Sequence, residues 1–137
     1  MTNEELILEA KKARLHAYTP YSHFQVGAAL ETKDGKIYHG CNIENAAYGP
    51  TNCAERTAFF KAVYEGEREF TRIAIVGGPE GKEADATCAP CGVCRQVMRE
   101  FCEPNSFKIL LADGKGGVIE KTLEELLPLS FGPDDLN

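Results

Sequence analysis

The spacing of apolar and polar positions divides the chain into short segments of alternating character. Leu6, Ala10, Ala13 and Ala17 recur at helical intervals. They follow Thr2-Asn3-Glu4-Glu5, which has the form of a capping box, so the pattern predicts an amphipathic helix from Glu4 to about Tyr18, ended by Pro20. From Phe24 to Thr32 the run is apolar and small, Asp34-Gly35 is a two-residue turn signal, and the pattern resumes from Ile37 to Cys41, which describes a β-hairpin. Gly27-Ala28-Ala29 leaves one face of the first strand nearly bare, as expected where another element, such as the helix starting at Cys53, lies close across it. Asn42–Thr51 is polar and turn-rich. Cys53 to Glu65 then reads as a helix with Cys53, Thr57, Phe60 and Tyr64 on one face and Gly66 as its stop.

The second half repeats the alternation. Arg72 to Gly77 is a short β run, Gly78 to Pro90 is a loop, and Cys91 to Cys102 places Cys94, Val97, Met98 and Phe101 on one helical face. Phe107 to Ala112 is a further strand. The Asp113–Gly117 turn is too short for a crossover, so Val118 to Lys121 must return antiparallel. Thr122-x-x-Glu125 caps a last short helix that Pro128 ends. This order predicts an α/β fold, a three-layer α-β-α sandwich around a five-stranded mixed sheet, with residues 1–137 as a single domain.

Composition narrows the function. A formal net charge of −6 argues against a nucleic-acid polymer as partner, because phosphate binding relies on clustered Lys and Arg. A small uncharged substrate is expected instead. There is no leader-like or membrane-length apolar run, so a soluble, cytoplasmic protein without a membrane partner is expected. Six cysteines in such a chain favour metal over disulfides. Cys41 and Cys102 read as buried small hydrophobes.

The candidate chemistry lies in Cys53-Ala54-Glu55-Arg56 and Pro90-Cys91-Gly92-Val93-Cys94-Arg95. Three thiols from two helix starts suit one zinc with an open fourth position, and Glu55, two residues from a ligand, suits a general acid and base. Two blander readings stand beside this one. Cys88 is near enough in sequence to close a structural four-thiol site, and Asn52-x-x-Glu55 has the form of a capping box in which Glu55 would serve only the helix. Arg56 beside the ligands is either an exposed helix arginine or the cation that offsets three thiolates.

These two motifs resemble the zinc nucleobase deaminases, in their all-cysteine form the small homotetrameric cytidine deaminases. Pro20-Tyr21-Ser22-His23-Phe24-Gln25-Val26-Gly27-Ala28-Ala29, Gly40-Cys41-Asn42-Ile43-Glu44-Asn45-Ala46 and Glu124-Glu125-Leu126-Leu127-Pro128 resemble that family too, so the similarity spans nearly the whole chain. It implies one Zn2+ per chain on Cys53, Cys91 and Cys94, with Arg56 hydrogen-bonded to the ligand thiolates. It further implies hydrolytic deamination of cytidine and 2′-deoxycytidine to uridine and 2′-deoxyuridine, with release of ammonia, in pyrimidine salvage. Zinc-activated hydroxide would attack the base while Glu55 shuttles the proton. Asn42 and Glu44 would bind the ribose, Phe24 would lie beside the base, Ala54 would be a further substrate-binding residue, and Phe131 would reach a neighbouring subunit's site in a homotetramer. On the residues alone, Asn42 and Glu44 also fit a polar strand-end turn, and Phe24 also fits strand core. The rival readings are a deaminase of a nucleoside antibiotic or modified cytidine, and a structural-zinc binding module without turnover.

Overall fold

The computed structural model describes residues 1–136; Asn137, the end of the expected 1–137 domain, lies outside the described residues. The elements are α1 (Asn3–Arg14), β1 (Phe24–Thr32), β2 (Ile37–Cys41), α2 (Ala54–Tyr64), β3 (Phe70–Pro79), α3 (Gly92–Phe101), β4 (Lys108–Ala112), β5 (Val118–Thr122) and α4 (Leu123–Leu126), followed by a 3-10 turn at Pro133–Asp135. The strands form one sheet in the order β2-β1-β3-β4-β5. Only β3 and β4, joined through α3, run parallel; the other pairs are antiparallel. This is the mixed five-stranded sheet the pattern predicts.

Strand alternation assigns the two faces. Ala29, Ala74, Val76 and Leu110 pack with Leu6, Ile7 and Ala10 of α1. Ala28, Leu30, Ile73, Ile75, Ile109 and Leu111 point the other way, onto Ala58, Phe59 and Ala62 of α2 and Cys94 and Met98 of α3. Helices therefore cover both faces, and the layers are α-β-α. Phe59 is fully buried, with the rings of Phe70, Phe107 and Phe101 at 5.1, 6.0 and 6.1 Å. Its burial is worth about 3 kcal/mol and fixes α2 on the sheet.

Several boundaries differ from the sequence expectation, each because a distant partner decides them. α1 stops at Arg14 rather than near Tyr18. The backbone of Tyr18 pairs instead with the 42–44 segment, donating to the Asn42 carbonyl at 3.0 Å and accepting from the Glu44 N–H at 2.9 Å. The hairpin keeps the expected bounds, and within its 33–36 connection the Thr32 N–H donates to the Lys36 carbonyl at 2.9 Å while Gly35 takes a positive φ of 87°. β3 extends beyond Arg72–Gly77 at both ends because it pairs along β1 from Phe70 to Pro79.

Two packing expectations are corrected. Gly27 and Ala29, on one face of β1, receive α1, and only Ala28, on the other, meets the helix that follows Cys53: a Cβ on Gly27 would run into the Ala10 carbonyl and the Arg14 backbone. α2 comes closest at Gly40 of β2, where a Cβ would strike the Ala54 carbonyl and the Ala58 N–H. The α2 face carrying Phe60 and Tyr64 points outward, Tyr64 being 87% exposed, while Ala54, Glu55, Ala58, Phe59 and Ala62 form the buried face. Among the described residues no helix is long and apolar enough to cross a membrane.

Candidate active site

Cys53 and Cys91 occupy the N-cap positions of α2 and α3, and neither thiol caps its own helix. Cys94 follows one turn into α3 and is buried. Sequence positions separated by a whole strand and loop thus meet where two helix N-termini converge, and each terminus favours a thiolate. The Cys53 and Cys91 sulfurs lie 3.8 Å apart, and those of Cys91 and Cys94 3.5 Å apart. All three fall within 4.8 Å of one another. A tetrahedral ion with Zn–S bonds of about 2.3 Å separates its sulfurs by roughly 3.8 Å, so the triangle already has the dimensions of a zinc site. Cys88 is not part of that group. Its thiol sits over Gly77, where a Cβ would come within 2.6 Å of it, and burial, then the charges of Glu55 and Cys53, push it up to about 11. Among the described residues Cys88 therefore does not close a four-thiol site, and an ion held by the three thiols would keep a fourth position for water or substrate.

Electrostatics divides roles among the thiols before any metal binds. Cys53 is held down to about 5, chiefly by the hydrogen bond from Cys94 and further by Arg56, against the opposing effect of burial. That same bond raises Cys94. Arg56 Nη2 donates to the Cys53 sulfur at 3.2 Å. Burial disfavours the guanidinium charge, but the bonds to Cys53 and Cys94 more than restore it. The reading of Arg56 as a free surface arginine is thereby corrected.

Glu55 is 4% exposed and lies on the buried face of α2. The helix N-cap is Cys53, and the Asn52 side chain instead donates to Thr57 Oγ1 at 3.2 Å, so no Asn52–Glu55 capping box forms. Desolvation is the main reason the Glu55 carboxyl is pushed up to about 7; the Cys53 charge adds to it, while hydrogen bonds from its own backbone N–H and from Cys94 oppose it. A carboxyl poised at neutral pH beside an open metal position is suited to take up and return a proton.

The other expected site residues surround this centre unevenly. Ala54, the first residue of α2, is fully buried. Asn42 binds across to β1, accepting from the Val26 N–H at 2.9 Å and donating to the Phe24 carbonyl at 2.9 Å. Glu44 accepts from the backbone N–H groups of Tyr21 and Ser22, both at 3.1 Å, and from Ser22 Oγ. The Ser22 hydroxyl is the main reason its carboxyl sits below the usual range. Phe24 is 39% exposed, its ring edge over Gly77 beside Cys88. Phe131 is 60% exposed, on a tail tied to α3 by Gln96 donating to the Phe131 carbonyl and Arg99 donating to Ser130 Oγ. One supporting residue was not anticipated: Arg95 holds the Pro90 carbonyl at 2.8 Å and the Leu126 carbonyl at 2.7 Å, fixing the approach to Cys91 against α4. Nothing in its local sequence distinguishes it from a surface arginine.

Comparison with known proteins places these features in a family. The profile of the cytidine and deoxycytidylate deaminase zinc-binding region matches residues 1–108. The chain is 55% identical over 137 residues to a cytidine deaminase of Sporosarcina psychrophila, covering 100% of this chain and 96% of that protein. It is 51% identical over 137 residues to a cytidine deaminase of Halalkalibacterium halodurans, covering 100% and 99%. A crystal structure of cytidine deaminase from Burkholderia pseudomallei matches the fold with a TM-score of 0.86 and 51% identity, over 96% of this chain and 100% of that one. Matched along its length in both sequence and fold, the chain belongs to the cytidine and deoxycytidylate deaminase family.

Proposed function

We propose that the protein hydrolyses cytidine and 2′-deoxycytidine to the uracil nucleosides and ammonia, as a single domain working in the cytoplasm. The observation that carries this reading is the tetrahedrally spaced triangle of Cys53, Cys91 and Cys94 beside the dry carboxyl of Glu55. Held by these thiolates, one Zn2+ would supply the Lewis acidity that makes water a nucleophile at neutral pH. Glu55 does the proton work. With its carboxyl near 7 it takes the proton of the attacking water at a carboxylate oxygen and delivers it to N3 of the pyrimidine, then takes the proton of the hydroxyl added at C4 and passes it to the amine, which leaves as ammonia. Arg56 offsets the negative charge of the thiolates from outside the substrate side.

The sugar end would be read by Asn42 and Glu44. Asn42 keeps a second amide hydrogen and a second carbonyl lone pair after its two bonds to β1, and Glu44 is held as an ionised acceptor by the Tyr21–Ser22 turn. Phe24 would flank the base and the Ala54 backbone would meet its polar edge. The active form would be a homotetramer in which Phe131 closes a neighbour's pocket. The exposed ring of Phe131 and the outward Phe60 and Tyr64 supply apolar surface for such association. Ammonia release from cytidine, measured with zinc content on the same sample, tests the reaction: one zinc per chain with no turnover of either nucleoside defeats it. Light scattering that finds a fully active monomer defeats the assembly.

A further inference from the structure

Arg14 is a buried cation that the chemistry above does not use. It is 6% exposed, and no ion pair among the described residues includes it. Its guanidinium is satisfied by backbone carbonyls alone: Gly78 at 2.9 Å, Lys82 at 2.9 Å, Pro79 at 3.0 Å and Gln25 at 3.3 Å. A charge taken out of water needs such partners, and the planar fork of arginine can reach several carbonyls at once where lysine, a compact point charge, cannot.

The positions of those carbonyls give the arrangement its meaning. Gln25 pairs with Gly78, and Phe24 with Pro79, at the last rungs of the β1–β3 ladder. The His23 carbonyl, at a residue with a φ of 56°, accepts from the Glu80 N–H at 2.7 Å just beyond them. Gly78 leaves room for the fork, since a Cβ there would stand 3.3 Å from Arg14 Nη2 and 2.6 Å from the Glu83 carbonyl. Gln25 and Gly78 face α1 by strand alternation, whereas Phe24, Val26 and Gly77 lie on the opposite face, the one that carries α2 and α3. Over Gly77 the Phe24 ring and the Cys88 side chain meet. Arg14 therefore grips the ends of two strands from the face opposite the site, and the side chains emerging on the other face belong to the site's aromatic wall.

We propose that Arg14 is a positioning residue for nucleoside binding: by locking the final rungs of β1 and β3 from behind the sheet, it sets the depth of Phe24 over the metal centre. The inference rests on the reading of Phe24 as a wall of the pocket. It differs from a purely structural role in predicting that loss of the fork is felt in substrate affinity through Phe24, with the metal centre left intact.

The test is a double-mutant cycle on the zinc-loaded enzyme, with Arg14→Lys, Phe24→Ala and the pair, reading KM and kcat for cytidine, the affinity for uridine by calorimetry, and zinc content. Arg14→Lys should raise KM about tenfold and weaken uridine to the same degree, change kcat by less than about threefold, and keep one zinc per chain. In the Phe24→Ala background Arg14→Lys should add nothing to KM. Should Arg14→Lys not fold, Arg14→Gln, whose uncharged amide can still donate to one or two of these carbonyls, replaces it in the cycle. Full additivity of the two changes, or a lowered Tm with KM unchanged, overturns the clamp while leaving the pocket reading intact. Phe24→Ala without effect on KM removes Phe24 from the pocket, and the proposal with it.

Discussion

Glu55→Gln should lower turnover by orders of magnitude and at the same time make the protein more stable, in a way that depends on pH. Holding a carboxyl near 7 instead of 4.5 means that the fold disfavours its charged form by roughly 3 kcal/mol. Because the folded pKa lies above the unfolded one, the folded state binds more protons between these values. Stability from this group is therefore whole below pH 4.5, declines as pH rises, and is fully lost above about 7. Gln has nearly the same shape and never ionises, so its advantage over Glu should grow across this interval and level off at about 3 kcal/mol above it. The measurement is denaturant unfolding of both proteins with zinc removed by chelation, from pH 4 to 8.5, at one fixed concentration because association would shift the midpoints. Turnover by the zinc-loaded variant should fall by at least about 10². A stability difference that is flat with pH, or a variant less stable than wild type at pH 8, would refute the argument that burial sets this carboxyl.

Replacing Cys53, Cys91 or Cys94 by Ala should empty the zinc site, while Cys88→Ala should retain one zinc per chain by metal analysis; joint loss with Cys88 would contradict the three-sulfur geometry. Deleting Ser130–Asn137 should leave zinc unchanged but raise KM and weaken self-association, seen by kinetics and light scattering; unaltered values for both would remove Phe131 from the proposed intersubunit contact. Gly40→Ala should push back the start of α2, since its Cβ has no room against the Ala54 carbonyl and Ala58 N–H. A loss of about 2 kcal/mol or more in denaturant stability, with weakened zinc retention, is expected; a variant of wild-type stability and zinc content would show that α2 does not need this close approach.

Legibility in the sequence followed the range of the interaction involved. The three-thiol cluster could be read because spacing within one helical turn is a local constraint, as for Cys91 and Cys94, and the carboxyl beside it because Glu55 travels with Cys53 on the same turn. The β1 and β2 bounds were read correctly for a similar reason, since apolar runs and the Asp34-Gly35 turn are near neighbours. What escaped was decided at long range. The end of α1 depends on Tyr18 finding the 42–44 backbone, and the extra length of β3 depends on β1. Helical spacing put Cys53, Thr57, Phe60 and Tyr64 together without revealing that the sheet takes the opposite side of α2. Small residues at Gly27 and Gly40 announced close packing but not which helix each would receive. Arg14 was invisible, because its partners are carbonyls, which every residue carries.

The negative charge that makes an all-thiolate centre a weaker Lewis acid also raises the carboxyl beside it. With Cys53 as its thiolate, the metal-free cluster already places about one negative charge near Glu55, and that charge adds to burial in raising the carboxyl. Three thiolates around a dication also leave a net charge of about −1, so metal loading keeps the sign of the field at Glu55. Arg56 moderates this field by donating to Cys53, and its charge lowers the Glu55 carboxyl only as a minor effect. A stronger cation next to the sulfurs would help the metal polarise water but would pull the Glu55 pKa down and leave a poorer proton acceptor. The placement of Arg56 at Cys53 and of Glu55 in the dry space under α2 keeps these two demands apart, which is why they are carried by neighbouring residues on different sides of one helix turn.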